Sequence, residues 1–221
     1  MNDAYLYDRA YFEGHYYHND QRRDVMYRQE IERIRAMAPS GGRVLDIGCG
    51  VGNFLAMLDD RWEKFGFEPS EFAAKIAAGR NIKMLDAEDF SPEYFDLVVF
   101  RGTLQHMPNP VEVLSWAAAC LKPGGLLAIL ATPDADSLVY KVFGNLPALD
   151  APRNWIVMGT RSLRNILGRL GFEDIKTLHP YWSTPYARPL VDFANFCASL
   201  LFGYRKFAFL GNMFEMYAVK K

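Results

Sequence analysis

The chain has 221 residues, 50% hydrophobic and 14% aromatic, enough for one α/β domain with a full core and some added elements. Its 25 basic and 26 acidic residues nearly cancel and form no Lys/Arg-rich block, which argues against a nucleic-acid footprint and favours small or weakly charged ligands. Cys49, Cys120 and Cys197 are far apart with no metal-ligand spacing, and no run approaches the roughly 18 apolar residues of a membrane span. A reducing, cytoplasmic setting without a metal is the expectation.

Residues 1–20 are dense in tyrosine and polar groups and carry no clear period. Over 24–38, Tyr27, Ile31, Ile34 and Ala38 fall on one helical face, and Pro39 closes that helix. Residues 43–54 then read RVLDIGCGVGNF. Val44, Leu45 and Ile47 suit a buried parallel strand, and Gly48, Gly50 and Gly52 follow at alternate positions before the pattern turns helical. Such a turn lets a ligand approach bare backbone N–H groups, because glycine lacks the Cβ that would block it. A pyrophosphate-binding turn reads G-x-G-x-x-G, whereas here the third glycine comes one residue early. Asp46, two residues before Gly48, would repel a pyrophosphate and suit a cationic ligand.

This stretch resembles the first motif of the class I methyltransferases, which use S-adenosylmethionine, a sulfonium cation with an ammonium group. The following elements keep the same layout. A short helix is expected over 53–60 and a second strand over 62–67, ending in Glu68-Pro69. Glu68, about 20 residues after the first glycine, stands where doubly wound folds place a carboxylate for a ribose diol. Ser70 can cap a helix running to Ala78, and Gly79 ends it. A third strand over 82–85 leads into Asp86-Ala87-Glu88-Asp89. By resemblance, Asp86 reads the adenine amine and Ala87 or Glu88 supplies backbone.

A fourth strand over 95–100 runs into Arg101-Gly102-Thr103-Leu104-Gln105-His106, which resembles the family's loop beside both cofactor and substrate. Asn109 and Pro110 open a helix to Leu121, and an LKPGG turn precedes a fifth strand over 126–131. The connection 132–158 lacks clear regular structure and is expected to shape the substrate pocket. Thr160 can cap a helix over 161–170, followed by strands over 172–178 and 213–219, the last expected antiparallel.

Within the insertion 182–211, a helix from Pro189 has Asp192, Asn195 and Ser199 as one narrow polar stripe on an otherwise apolar surface. With Arg188, Arg205 and Lys206 at its ends, the stretch 188–206 could lie on a bilayer, cover the pocket or pair with a second copy in a homo-oligomer.

The resemblance implies a Rossmann-like α/β fold, a seven-stranded mainly parallel sheet of order 3-2-1-4-5-7-6 with helices on both faces. It divides the chain into an N-terminal segment and helix (1–40) covering the cofactor, in which Tyr11, Tyr16 or His18 could touch the methionine end or simply pack, and a methyltransferase domain (41–221). The implied cofactor contacts are Asp46, Gly48, Cys49, Gly50, Asn53, Glu68, Pro69, Asp86, Ala87, Arg101 and Gly102. Methyl transfer is an in-line displacement in which positioning can recover roughly 7 to 11 kcal/mol of barrier, so a base is optional. His106 is the leading catalytic base, or else a loop-ordering residue; His15, His18 and His179 have weaker positions. The expected acceptor is a small molecule such as a quinone precursor, a sugar or another metabolite. An NAD-dependent oxidoreductase and a catalytically silent cofactor-binding protein remain as alternatives.

Overall fold

In the computed structural model, residues 9–15, 21–86, 89, 91–149 and 153–221 are described, with His15 by its backbone alone. Tyr16, His18, Ala87 and Glu88 lie outside them. Alternation along the strands explains why the sheet is covered on both sides. From β1 (Gly42–Ile47) and β4 (Phe95–Arg101), Val44, Leu97 and Val99 point to one face, while Leu45, Ile47, Val98 and Phe100 point to the other. The first face is covered by Tyr27, Ile31 and Ile34 of α2 (Gln21–Met37), Phe54 and Leu55 of α3 (Asn53–Met57), and Ala77 of α4 (Glu71–Ala78). The second receives Leu114 and Ala117 of α5 (Pro110–Cys120) and Leu163 and Leu167 of α7 (Thr160–Arg169). Burying one such leucine is worth about 1.5 to 3 kcal/mol.

With β2 (Trp62–Phe67), β3 (Lys83–Met84), β5 (Leu121–Pro133), β6 (Phe172–Leu178) and β7 (Met213–Lys220), the sheet has seven strands in the order β3-β2-β1-β4-β5-β7-β6. Pairings from β3 to β5 are parallel, and β7 runs antiparallel to both β5 and β6. The expected order and the antiparallel last strand therefore stand. The chain leaves β1 for β2 on one side and has β4 on the other, which opens a crevice at the strand C-termini where such sheets bind ligands.

Several local expectations need correction. Residues 9–15 form a helix, α1 (Arg9–His15), held because Phe12 packs against Val51 and Ala73 rather than by any period of its own. The third strand shrinks to two residues. The connection 132–158 contains α6 (Leu138–Phe143), whose first turn is capped by Ser137 accepting from the Tyr140 N–H at 3.2 Å. Thr160 is not the cap of α7: Gly159 occupies that position, and the carboxylate of Asp134, distant in sequence, accepts from the Thr160 N–H at 3.1 Å. For the last helix, α8 (Pro189–Phe202), whose orientation the sequence leaves open, the polar stripe turns inward, with Asp192 and Ser199 buried.

Candidate functional site at the C-terminal rim of the sheet

The crevice begins at the glycine turn. The N–H groups of Gly48 and Cys49 both donate to the Phe67 carbonyl, at 2.8 and 3.2 Å, and Thr103 Oγ1 donates to the Ile47 carbonyl at 2.9 Å. These bonds tie β1 to the ends of β2 and β4. All three glycines have positive φ, +77°, +56° and +77°, which other residues adopt only at a cost. Their surroundings differ. A Cβ on Gly48 would stand 2.5 Å from Thr103 Cγ2, and one on Gly52 would strike Ile82 Cδ1, so packing alone demands glycine there. A Cβ on Gly50 would meet only Phe12 Cε1, at 3.5 Å. Gly50 leaves open space.

That space is a cleft of about 50 Å3 lined by Asp46, Gly48, Cys49, Gly50, Asn53 and Arg101, among others. Asp46 is 2% exposed, and its Oδ1 has no hydrogen-bond partner. Burial raises its pKa from the ordinary 3.8 to about 7, with Arg101 opposing the shift and Glu68 and Glu30 adding to it. An orphaned buried acceptor beside an open glycine suits a cationic ligand, so these residues fit the ammonium-bearing end of S-adenosylmethionine. Glu68 stands at the edge, its Oε2 accepting from Gly50 N–H at 2.9 Å and its Oε1 from Ser70 N–H at 3.0 Å. Burial raises its pKa as well.

The remaining expected residues scatter. Cys49 is buried with its thiol pKa pushed up by burial, while Asn53 Oδ1 accepts from Arg80. Pro69 and Asp86 are exposed and line neither this cleft nor the larger cavity below, and the Asp86 N–H donates to Asp89 at 2.9 Å. Gly102 N–H donates to the Leu130 carbonyl, at 2.8 Å, which leaves its loop paired to β5. His106 has Nδ1 2.9 Å from the Arg153 carbonyl, so that nitrogen carries the proton, and Nε2 3.3 Å from Gln105 Nε2. It lines neither cavity. Among the described residues no group of three or more His, Cys, Asp or Glu could hold a metal.

Arg101 is the hinge between two chambers. Its guanidinium lies 2.7 Å from Glu30 on α2 and 4.1 Å over the Tyr27 ring. It lines the small cleft and also a cavity of about 770 Å3 built over the ends of β5 and β7. The floor of that cavity includes Ala131, a non-glycine residue at φ +49°, where the β5 ladder with β7 breaks register between Ile129 and Thr132. Such bulges re-aim backbone beside sites. Its walls come from the first turns of α2, residues 180–192, and the segment 206–213 before β7. Sequence reasoning missed Glu30 and the stacking of Arg101 on Tyr27, and anticipated this cavity only as a pocket shaped by 132–158, from which Pro147 and Ala148 line it. Glu30 was findable, because it shares the face of Tyr27, Ile31 and Ile34, where a carboxylate is out of place unless paired.

Fold and glycine turn together define a Rossmann-like domain, and the orphaned carboxylate makes its crevice suited to a cationic ligand. Residues 17–177 match the family described as a methyltransferase domain. An uncharacterised protein of Methanocaldococcus jannaschii is 31% identical over 158 residues, covering 69% of this chain and 75% of the relative. Trans-aconitate 2-methyltransferase of Variovorax paradoxus is 28% identical over 178 residues, covering 72% and 67%. A solved SAM-dependent methyltransferase of Thermotoga maritima superposes with a TM-score of 0.66 at 24% identity, covering 95% and 97%. The chain belongs to the methyltransferase-domain family, as an S-adenosylmethionine-dependent enzyme of the class I fold.

Proposed function

We propose that the chain transfers a methyl group from S-adenosylmethionine to a small-molecule acceptor held in the 770 Å3 cavity. The observation that carries this reading is contiguity: Arg101 borders both the cleft at the glycine turn and a cavity whose volume is typical of ligand sites, about 300 to 1,000 Å3. When bound, the donor supplies an electrophilic methyl on a sulfonium. The chain's residues do the positioning. Asp46 would accept from the ammonium group, and Glu68 would accept from the ribose diol. Cys49, Asn53, Pro69, Asp86, Gly102 and the undescribed Ala87 keep their proposed roles along the donor. Arg101, fixed by Glu30 and Tyr27, would separate and align the two chambers. His106, with both ring nitrogens in hydrogen-bond contact, serves this reading better as an anchor for residues 153–156 than as a base.

The test is transfer of label from methyl-labelled donor into a metabolite extract, with trans-aconitate among the pure acceptors because a relative is named for it. A labelled small molecule is expected. Absence of donor binding by calorimetry, with NAD bound instead, would replace the reading by an oxidoreductase; donor binding without transfer to any acceptor would favour a silent binding protein.

We also propose that α8 touches an anionic membrane surface. Its exposed side carries Leu190 (88% exposed), Phe193 (62%), Leu201 (77%) and Phe202 (74%), while Asp192 and Ser199 face inward. Phe196 is different, packing on Phe143, Phe207 and Phe209. Exposed Arg188, Arg205 and Lys206 flank the apolar side, the charge pattern that anionic headgroups complement. No helix among the described residues is long and apolar enough to cross a membrane. Flotation with phosphatidylglycerol vesicles that is lost in Phe193→Asp/Leu201→Asp supports the contact. A dimer in sedimentation that dissociates in the same variant would assign that face to a second copy.

A further inference from the structure

Each of the two chambers has a buried acceptor atom without a partner. At the glycine turn it is Asp46 Oδ1; in the larger cavity it is Oδ1 of Asn212, a lining residue that is 4% exposed. Among the described residues, no other buried and unpartnered side-chain atom belongs to the lining of the larger cavity. The rest of Asn212 is committed. Its backbone N–H donates to the Phe209 carbonyl at 3.2 Å, its carbonyl accepts from the Asp134 N–H at 3.0 Å, and its Nδ2 donates to the Phe207 carbonyl at 3.1 Å. The last bond fixes the amide, because turning it over would set two carbonyl oxygens against each other. The open atom is therefore an acceptor, and a buried acceptor left unmet is costly enough to call for a donor. Neighbouring groups do not supply one. The Tyr181 hydroxyl, in the same lining, donates to Asp192 Oδ2 at 2.8 Å, the oxygen that also accepts from the Arg188 backbone N–H.

The bonds of Asn212 also shape the wall beside it. They tie the residue to the carbonyls of Phe207 and Phe209, both of which line the cavity, with their rings 6.0 Å apart and Phe196 stacked on Phe209 at 5.2 Å. An apolar surface thus adjoins a single open acceptor. Position sets the length of the occupant. Asn212 immediately precedes β7, and β5 lies between β7 and β4, whose last residue is Arg101, so the two residues are separated across the sheet by two strand spacings, about 10 Å. A group held at Asn212 lies at the end of the occupant remote from the glycine turn.

We propose that Asn212 is a specificity-determining residue of the acceptor cavity, its Oδ1 accepting from a hydroxyl or amine group on the end of the methyl acceptor remote from Arg101, while the apolar body of that acceptor lies against Phe207 and Phe209. This rests on the methyl-transfer reading and adds what the cavity selects. A site built around a bonded O–H or N–H rejects the analogue that lacks it, because its own oxygen is then left unpaired.

The full chain is first titrated with S-adenosylhomocysteine, which reports on the cleft at the glycine turn. Failure there counts against methyl transfer, and the Asn212 contact is decided separately by three ring probes of similar size, phenol, aniline and toluene, followed by NMR. Phenol or aniline is expected to bind about fivefold tighter than toluene, and the side-chain amide resonance of Asn212 to move with the tighter probe but not with toluene. Asn212→Leu should make the three affinities equal and leave that for S-adenosylhomocysteine unchanged, since Asn212 does not line the small cleft. If that variant fails to fold, the amide resonance of the unaltered protein decides. A preference for phenol assigns a hydroxyl to the acceptor, and one for aniline assigns an amine. Equal affinities in the unaltered protein, no binding of phenol or aniline, or an unmoved amide resonance overturns the proposal. A preference that survives Asn212→Leu does so too, and transfers the contact to Asp192.

Discussion

The two chambers beside Arg101 are built on opposite principles. At the glycine turn the ligand-facing surface is mostly backbone, fixed by bonds from Gly48, Cys49 and Gly50 to β2 and Glu68, with one deliberate gap at Asp46 Oδ1. Over β5 and β7 the surface is side chain, supplied by separate segments whose positions depend on the whole fold. Backbone recognition tolerates little variation, whereas a side-chain wall can be rewritten one residue at a time.

Substitution at the turn should give the largest effect. Gly50→Val asks a β-branched residue to hold φ +56°, which costs about 1 to 3 kcal/mol, and fills the cleft. Donor binding measured by calorimetry should fall below detection while the circular dichroism spectrum is kept, since the nearest atom to the new Cβ is 3.5 Å away. Retained affinity would remove this turn from the donor site. Gly48→Val, by contrast, should lose the fold itself through the Thr103 contact.

Glu68→Ala should weaken donor binding tenfold or more, as a charged hydrogen bond is worth about 1.5 to 3 kcal/mol. Because Glu68 also accepts from Gly50 and Ser70, part of that loss is disorder of the turn, and Glu68→Gln should recover some of it. An unchanged dissociation constant in folded Glu68→Ala would exclude the residue.

A pH titration sharpens the same side of the comparison. With a folded pKa of about 7 against an ordinary 3.8, Asp46 holds a proton in the free folded protein that the unfolded chain releases, so its contribution to stability falls as pH rises from about 4 to 7. Donor binding runs the other way, because the ionised form suits the cation. Affinity should be about tenfold weaker at pH 6 than at pH 8, following the ionised fraction. Asp46→Asn should bind weakly with a flat profile, and a wild-type profile already flat across this range would detach Asp46 from the ammonium.

His106→Ala should have the smallest effect, a few-fold loss of turnover with the pH profile unaltered. A general base would contribute about 10²- to 10⁴-fold, so a fall of that size with loss of the acidic limb would restore His106 to the chemistry.

The same contrast explains what could be read from sequence. Gly48, Gly50 and Gly52, Asp46 and the acid closing β2 lie within 23 residues of one another and keep a spacing that backbone geometry enforces, so the glycine turn and the strand order were legible. Asp134 capping α7 was not, because the pair is 26 residues apart and depends on where β5 ends. Helix α8 was legible as a helix, but its orientation was left open: Tyr181 and Arg188 draw Asp192 inward, and no periodicity reveals that a polar stripe has found buried partners. The 770 Å3 cavity is only partly legible for the same reason. Its lining residues come from separate segments that meet only when the chain closes around them.

Arg101 belongs to both chambers, and that shared wall has a thermodynamic consequence. Whatever one occupant does to the Arg101–Glu30 pair is felt by the other, and linkage requires the effect on affinity to be the same factor in both directions. On the proposed reading, methyl transfer removes the sulfonium charge on one side of that guanidinium, so the coupling between the two chambers differs before and after the reaction.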